Sequence, residues 1–222
     1  NSVIGFSEVI KDQILGPDDT SRYQEYAADI FSSGTHLLDL ISDILDVSKI
    51  EVGEMDIAEE TIDVGIAIQS CARMIRERAD NADVVLSIKI PNECPALLGD
   101  ERRLRQILLN LLSNAVKFTP PRGKVSIGAE VSDSGGIKFW VSDTGIGIAK
   151  EDIATVLRPF GQVESPFYKS YEGTGLGLSL AKSLSEIHGA TLSIESQFGQ
   201  GTTVSVLFPV QRTLAAVDTQ TA

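Results

Sequence analysis

Along LRQILLNLLSNAVKFTP, residues 104–120, a leucine-rich run carries three side-chain amides, Gln106, Asn110 and Asn114. At about 100° per residue, these three share one arc of roughly 100° with Ser113 and Lys117. Ile107, Leu108, Leu109, Leu111, Leu112, Ala115, Val116 and Phe118 cover the rest of the helix. A solvated face is the plain alternative for such a seam. Solvated faces are usually written in Glu and Lys, however, because long charged chains stay hydrated and favour the helix. An amide instead offers a neutral carbonyl oxygen and two N–H donors, a set suited to holding a metal ion and a polyanion together.

Three glycine clusters follow the amide helix. DTGIGI places Asp143 at the end of an expected strand, ahead of Gly145 and Gly147. Glycines let a ligand approach the backbone, and a carboxylate there can accept hydrogen bonds from an exocyclic amine such as that of adenine. EGTGLGL, residues 172–178, runs straight into the helical pattern SLAKSLSEIHG. Free N–H groups at a helix N-terminus favour phosphate oxygens, and the glycines give them room. FGQGTT sets Gly199 and Gly201 before Thr202. Taken alone, each cluster reads as a turn; their order behind the amide helix points to a phosphate-bearing ligand.

The elements that position these residues fall into two parts. The first, residues 1–54, is a helical hairpin broken at Gly16 and Pro17, with Asp19 or Thr20 able to cap the second helix. Tyr23, Tyr26, Ile30, Ser33, Leu37, Leu40, Ile44 and Val47 make a heptad seam on that helix, widened by Ala27, Phe31, Leu38, Ile41 and Leu45. Two helices cannot enclose so wide a stripe, so pairing with a second chain into a four-helix bundle is expected; the alternative is packing on the chain's own C-terminal domain. Residues 55–210 alternate strands and helices: a helix over 65–80, the amide helix, and strands in DVVLSIKI, GKVSIGAEVSDSGGIKFWVSDTG and ATLSIESQFGQGTTVSVLFPV. Grouped this way they predict an α+β fold, a two-layer α/β sandwich. Residues 211–222 read as a frayed, flexible tail.

Composition limits the classes of function. The chain has 222 residues, 42% hydrophobic and 6% aromatic, and a net charge of -12. That suits a soluble globular protein and argues against nucleic acid, whose phosphates need Lys and Arg. Cys71 and Cys94 stand apart without a metal-binding pattern, which suggests free thiols. No apolar run approaches the ~18 residues of a membrane span and no signal peptide is evident, so direct membrane contact is not expected. The chain opens on Asn1, and it reads as a piece of something longer.

QILLNLLSNAVKFT resembles the N box of bacterial sensor histidine kinases of two-component signalling, DTGIGI their G1 box, PFGQVE their F box, GTGLGLSL their G2 box and GQGT their last glycine element. NSVIGFSEVI and SSGTHLLDLISDILDVSKIEVG resemble the two helices of their dimerisation and phosphotransfer domain. The likeness covers residues 1–210 and is nearest to the alphaproteobacterial kinases of cell polarity and division. It implies the Bergerat-type ATP-binding sandwich shared by histidine kinases, gyrase, Hsp90 and MutL, with ATP and Mg²⁺ as cofactors. It also implies a homodimer through residues 1–54, a response-regulator receiver domain as partner, and a cytoplasmic fragment whose parent can be anchored at the inner membrane.

By the same resemblance, Asn110 would hold Mg²⁺, and Asn114 and Lys117 would meet the phosphates. Asp143 would select adenine with Thr202 behind it, and Phe118, Gly145 and Gly147 would also bind the nucleotide. Gly173, Thr174, Gly175, Leu176 and Gly177 would close over the phosphates, and Phe160 would gate the lid between the F and G2 boxes. Gln106 stands where the superfamily's ATPases carry a Glu that activates water. An amide has no basic group at neutral pH, so poor hydrolysis and transfer to an acceptor side chain are expected.

The family's acceptor histidine begins the box HELRTPLN, and this sequence starts at the Asn that ends it, so the acceptor is expected to be missing. His36 and His188 match other family positions and read as structural. Two other classes remain in view: an anti-sigma-type serine kinase, which would lack the paired N-terminal helices, and a degenerate scaffold, which would have lost Asp143 or the Asn pair.

Overall fold

The computed structural model describes residues 2–16, 19–91, 94–163 and 173–214. The chain divides into two compact units, Asn1–Ser48 and Lys49–Ala222.

The first unit holds α1 (Ser2–Lys11) and most of α2 (Thr20–Glu51). Gly16, at φ +91°, takes the left-handed turn that ends the α1 segment. Phe6 of α1 stacks on Tyr26 of α2, ring centroids 4.7 Å apart, and the Tyr23 hydroxyl accepts from the backbone N–H of Leu15 at 3.2 Å. Asp19 is the residue whose side chain meets the first turn of α2, accepting from Arg22 N at 3.4 Å. The rest of the apolar stripe stays uncovered: Phe31 is 76% exposed and Leu38 68%, with Leu37, Ile41, Ile44 and Leu45 exposed beside them.

The second unit is built on a five-stranded sheet of β2 (Val85–Lys89), β4 (Lys124–Val131), β5 (Ile137–Asp143), β6 (Thr191–Gln197) and β7 (Gly201–Phe208). The strand order is β2-β4-β5-β7-β6, parallel between β2 and β4 and antiparallel elsewhere. Alternation along the strands sends Val125, Ile127, Phe139, Val141, Val206 and Phe208 to one buried face. The helices α3 (Val64–Asn81), α4 (Glu101–Phe118) and α6 (Gly177–Ile187) pack beside one another, α4 in the middle. Leu104, Ile107, Leu108, Leu111, Leu112, Ala115 and Val116 of α4 are buried, which leaves the amide arc on the outside of the helix. This is the two-layer α+β sandwich that the alternating elements predict. A one-turn helix, α5 (Ile153–Val156), lies between β5 and α6.

A second, three-stranded antiparallel sheet joins β1 (Glu60–Ile62), β3 (Ala96–Gly99) and β8 (Thr213–Leu214). Here the structure corrects the sequence reading, which ends the ordered domain at Val210. Residues 211–214 of the expected tail are fixed, because β8 pairs with Ala96 and Leu97 of β3 and Arg212 donates to the Leu98 carbonyl at 3.0 Å and to Glu59 Oε1 at 2.9 Å. Two-residue pairing and one long-range ion pair leave no periodic trace in a sequence. Residues 215–222 lie outside the described residues.

Candidate functional site

Asp143 closes β5 opposite Thr202 of β7, so the ladder itself sets the carboxylate beside a glycine turn on either side. Asp143 Oδ1 accepts from Gly145 N at 2.8 Å and from Thr202 N at 3.2 Å. Burial pushes its pKa above the ordinary carboxylate range, and the two N–H donors partly offset that. The glycines are required by crowding. A Cβ on Gly145 would lie 2.4 Å from the Phe118 carbonyl oxygen, and one on Gly147, at φ +67°, would lie 2.0 Å from that of Gln197. The Phe118 carbonyl accepts from Ile146 N at 3.2 Å, which ties the end of α4 to the turn after β5.

Ser196, which no sequence motif marks, braces this corner. Its hydroxyl accepts from Ile148 N at 2.7 Å, donates to the Gly201 carbonyl at 3.0 Å and meets Thr202 Oγ1 at 2.9 Å. A serine in a strand carries no pattern that would have marked it.

Asn110, on the amide arc, has a buried Nδ2 that finds no hydrogen-bond partner among the described residues. An unsatisfied buried donor costs about 1–3 kcal/mol, so the position calls for an acceptor that comes from elsewhere. Its Oδ1 faces the first residue of α6: a Cβ on Gly177 would stand 3.6 Å from it. The N-terminus of α6 has no side-chain cap, and Leu176 before it is buried. Asn114 is half-buried one turn beyond Asn110. Gln106 has its Oε1 engaged by the Arg103 guanidinium at 2.9 Å.

Lys117 sets its ammonium 4.6 Å over the Phe118 ring, and a Cβ on Gly173 would lie 2.5 Å from that nitrogen. Burial, with Arg78 nearby, holds the Lys117 pKa below its ordinary value. Among the described residues no carboxylate forms an ion pair with Lys117.

The F and G2 segments are joined at their roots. Gln162 Nε2 donates to the Gly173 carbonyl at 2.6 Å, and Gly175, at φ +72°, lies against the backbone of Phe160 and Gly161. Thr174 Oγ1 accepts from Leu176 N at 3.3 Å. Phe160, itself at φ +60°, is 63% exposed. The lid that Phe160 was expected to gate, with Glu172, falls on residues 164–172, outside the described residues.

The starts of α3 and α4 are each fixed by a side chain. Asp63 caps α3, accepting from Ile66 N at 2.8 Å, and Asp100 caps α4, accepting from Arg103 N at 3.0 Å and Ala58 N at 3.1 Å. His188, fully buried, ends α6 with Nδ1 on the Leu184 carbonyl at 2.8 Å and Nε2 accepting from Asp100 N at 3.2 Å. This fits the structural role read from the sequence.

Residues 99–212 match the family described as histidine kinase-, DNA gyrase B- and HSP90-like ATPase, and residues 1–53 match the His Kinase A (phospho-acceptor) domain. The non-motile and phage-resistance protein of Caulobacter vibrioides is 49% identical over 95% of this chain and 25% of its own length. The cell-division control histidine kinase PdhS of Brucella abortus is 39% identical over 97% of this chain and 22% of its own. The chain thus spans about a quarter of the length of these curated relatives. Among solved structures, full-length ShkA in complex with AMPPNP superposes with a TM-score of 0.77 at 31% identity, over 88% of this chain and 40% of that one. The Acinetobacter baumannii histidine kinase AdeS shares the fold at a TM-score of 0.73 and 22% identity, over 94% and 93% of the two chains.

Proposed function

The chain belongs to the sensor histidine kinases, and from that premise we propose that its second unit binds ATP with Mg²⁺ and delivers the γ-phosphoryl group to a histidine side chain. The observation that carries this reading is the buried Nδ2 of Asn110, which has no hydrogen-bond partner among the described residues, one turn before Asn114 on a helix whose outer arc also holds Lys117, a cation with no carboxylate partner among those residues. Such a set lacks only a polyanion. The AMPPNP bound in the structural relative is in keeping with it.

Asp143 takes the adenine end. Its free lone pairs accept from the exocyclic amine, while Gly145 and Thr202 hold the carboxylate in place. At the other end Asn110 and Asn114 face the phosphates and Lys117 neutralises their charge, with the N-terminus of α6 and the glycines from Gly173 to Gly177 covering them. Among the described residues no group of three His, Cys, Asp or Glu side chains could cage a metal, so Mg²⁺ would be held by the Asn110 oxygen together with phosphate oxygens and water. Bound there, the ion would draw charge from the phosphates during transfer.

Gln106 supports transfer over hydrolysis. Its amide is held by Arg103 and has no basic lone pair with which to activate water. The reaction is then mainly positioning. An imidazole nitrogen forms its bond to Pγ as the bridging oxygen bond breaks, and ADP leaves with the electron pair. The phosphohistidine would next pass its phosphoryl group to an aspartate of a response-regulator receiver domain.

The exposed apolar stripe on α2 supports pairing of two copies into a four-helix bundle, since a single hairpin leaves Phe31 and Leu38 in water. No helix among the described residues is long and apolar enough to cross a membrane. Intact Asp143, Asn110 and Asn114 favour an active kinase over a scaffold. Titration calorimetry of Mg-ATP and Mg-GTP into wild type and Asp143→Ala tests the assignment. Heat with ATP that vanishes in the variant is expected; equal heats for the two proteins would overturn it.

A further inference from the structure

The polar arc of α4 does not end at α4. Arg78, in the last turn of α3, sends its guanidinium across to α4 and donates from Nη1 to Ser113 Oγ at 2.9 Å. Ser113 belongs to the same arc as Asn110, Asn114 and Lys117, one turn before the lysine. Two cations from neighbouring helices therefore converge on one polar strip, and Arg78 adds to the burial that holds the Lys117 pKa down.

Among the described residues no carboxylate pairs with Arg78 or Lys117. Like charges brought together without an anion repel, and the surface of a chain with net charge -12 offers many acidic positions that could have relieved them. A role at the carboxyl end of α3 alone would aim the guanidinium at the last carbonyls of that helix. It reaches to Ser113 instead.

We propose that Arg78 is a second phosphate-reading cation, working with Lys117 from the facing helix, and that the pair makes the site prefer a triphosphate to a diphosphate. The proposal rests on the nucleotide reading above. ATP carries one more phosphate than ADP, and a guanidinium can meet two of its oxygens at once, so the added cation acts most on the longer tail. Ser113 is then a positioning residue that holds Arg78 toward the strip.

The test is calorimetric binding of AMPPNP, ADP and adenosine, each with Mg²⁺, to wild type, Arg78→Gln, Arg78→Lys and Ser113→Ala. Arg78 is exposed, so its variants should keep the fold. Arg78→Gln should weaken AMPPNP about tenfold, ADP about threefold and adenosine not at all. Arg78→Lys should recover part of the loss, and Ser113→Ala should show a smaller loss in the same order. If Arg78→Gln leaves the AMPPNP-to-ADP ratio at its wild-type value, Arg78 does not read the phosphates and the nucleotide site still stands. If wild type binds none of the three, the nucleotide reading falls and this proposal with it.

Discussion

The backbone N–H of Asp100 donates to Nε2 of His188 across 3.2 Å, so the residue that caps α4 is held by the residue that ends α6. This bond joins the helix that carries the amides to the helix that the glycines of GTGLGL lead into. It exists only while Nε2 keeps a lone pair, that is, while the ring is neutral. Burial also holds the His188 pKa below its ordinary value.

Acid should therefore loosen the domain. With the folded pKa depressed, the unfolded chain takes up a proton that the folded one refuses, so the stabilisation is complete above the unfolded value of about 6.5 and is lost as pH falls toward the folded one. Thermal midpoints between about pH 7 and pH 5 should drop more steeply for wild type than for His188→Gln. The variant should also be less stable at neutral pH, by about 2 kcal/mol, for lost packing and a strained bond to Asp100. Parallel pH profiles for the two proteins would assign the sensitivity to other groups.

Asp143 should show the opposite sign. Its pKa is raised by burial, so the ionised carboxylate is a cost to the ligand-free fold above that pKa and no cost when protonated. Asp143→Asn keeps an acceptor for Gly145 and Thr202 and removes the charge. We expect a higher thermal midpoint than wild type at neutral pH, an advantage that shrinks as pH falls, together with loss of ATP binding. A variant less stable than wild type at neutral pH would show that the carboxylate is needed for the turn itself.

Much of this arrangement is legible in the sequence, and the reason is periodicity. The α4 pattern separates a buried leucine face from the arc of Gln106, Asn110, Asn114 and Lys117, and strand alternation places Asp143 at a sheet terminus. What could not be read is what short or distant contacts decide. β1, β3 and β8 are two to four residues each, too brief for a pattern. Arg78 to Ser113 spans 35 positions and His188 to Asp100 spans 88, and neither partner has a type that announces the other.

Gly173 and Gly175 should respond differently to alanine although they are neighbours but one. A Cβ at Gly173 meets the end of the Lys117 chain, which can swing aside. Gly175 sits at φ +72°, and a Cβ there would lie 2.8 Å from the Phe160 carbonyl carbon, which is backbone. Gly175→Ala should cost about 1–2 kcal/mol or more from the left-handed conformation and the contact. Gly173→Ala should leave the thermal midpoint within a degree or two yet weaken triphosphate binding by moving the ammonium. Scanning calorimetry paired with AMPPNP titration separates the two, and equal destabilisation would refute the distinction.

The last expectation concerns self-labelling. The 222-residue chain holds two histidines, His36 and His188. A phosphoryl acceptor must bring a free ring nitrogen in line with Pγ, and an error of even ~1 Å can cost about a hundredfold in rate. His188 cannot do so: it is fully buried and both its ring nitrogens are engaged, by Leu184 and Asp100. That leaves His36, which lies midway along α2 and which the resemblance places away from the family's acceptor box. The 222-residue chain, incubated with γ-labelled ATP and Mg²⁺ and run on an alkaline gel that preserves phosphohistidine, should stay unlabelled while still binding nucleotide. A longer chain in which a histidine box precedes Asn1 is the positive control and should label. Strong labelling of the 222-residue chain that disappears in His36→Ala would make His36 a working acceptor and α2 the site of chemistry.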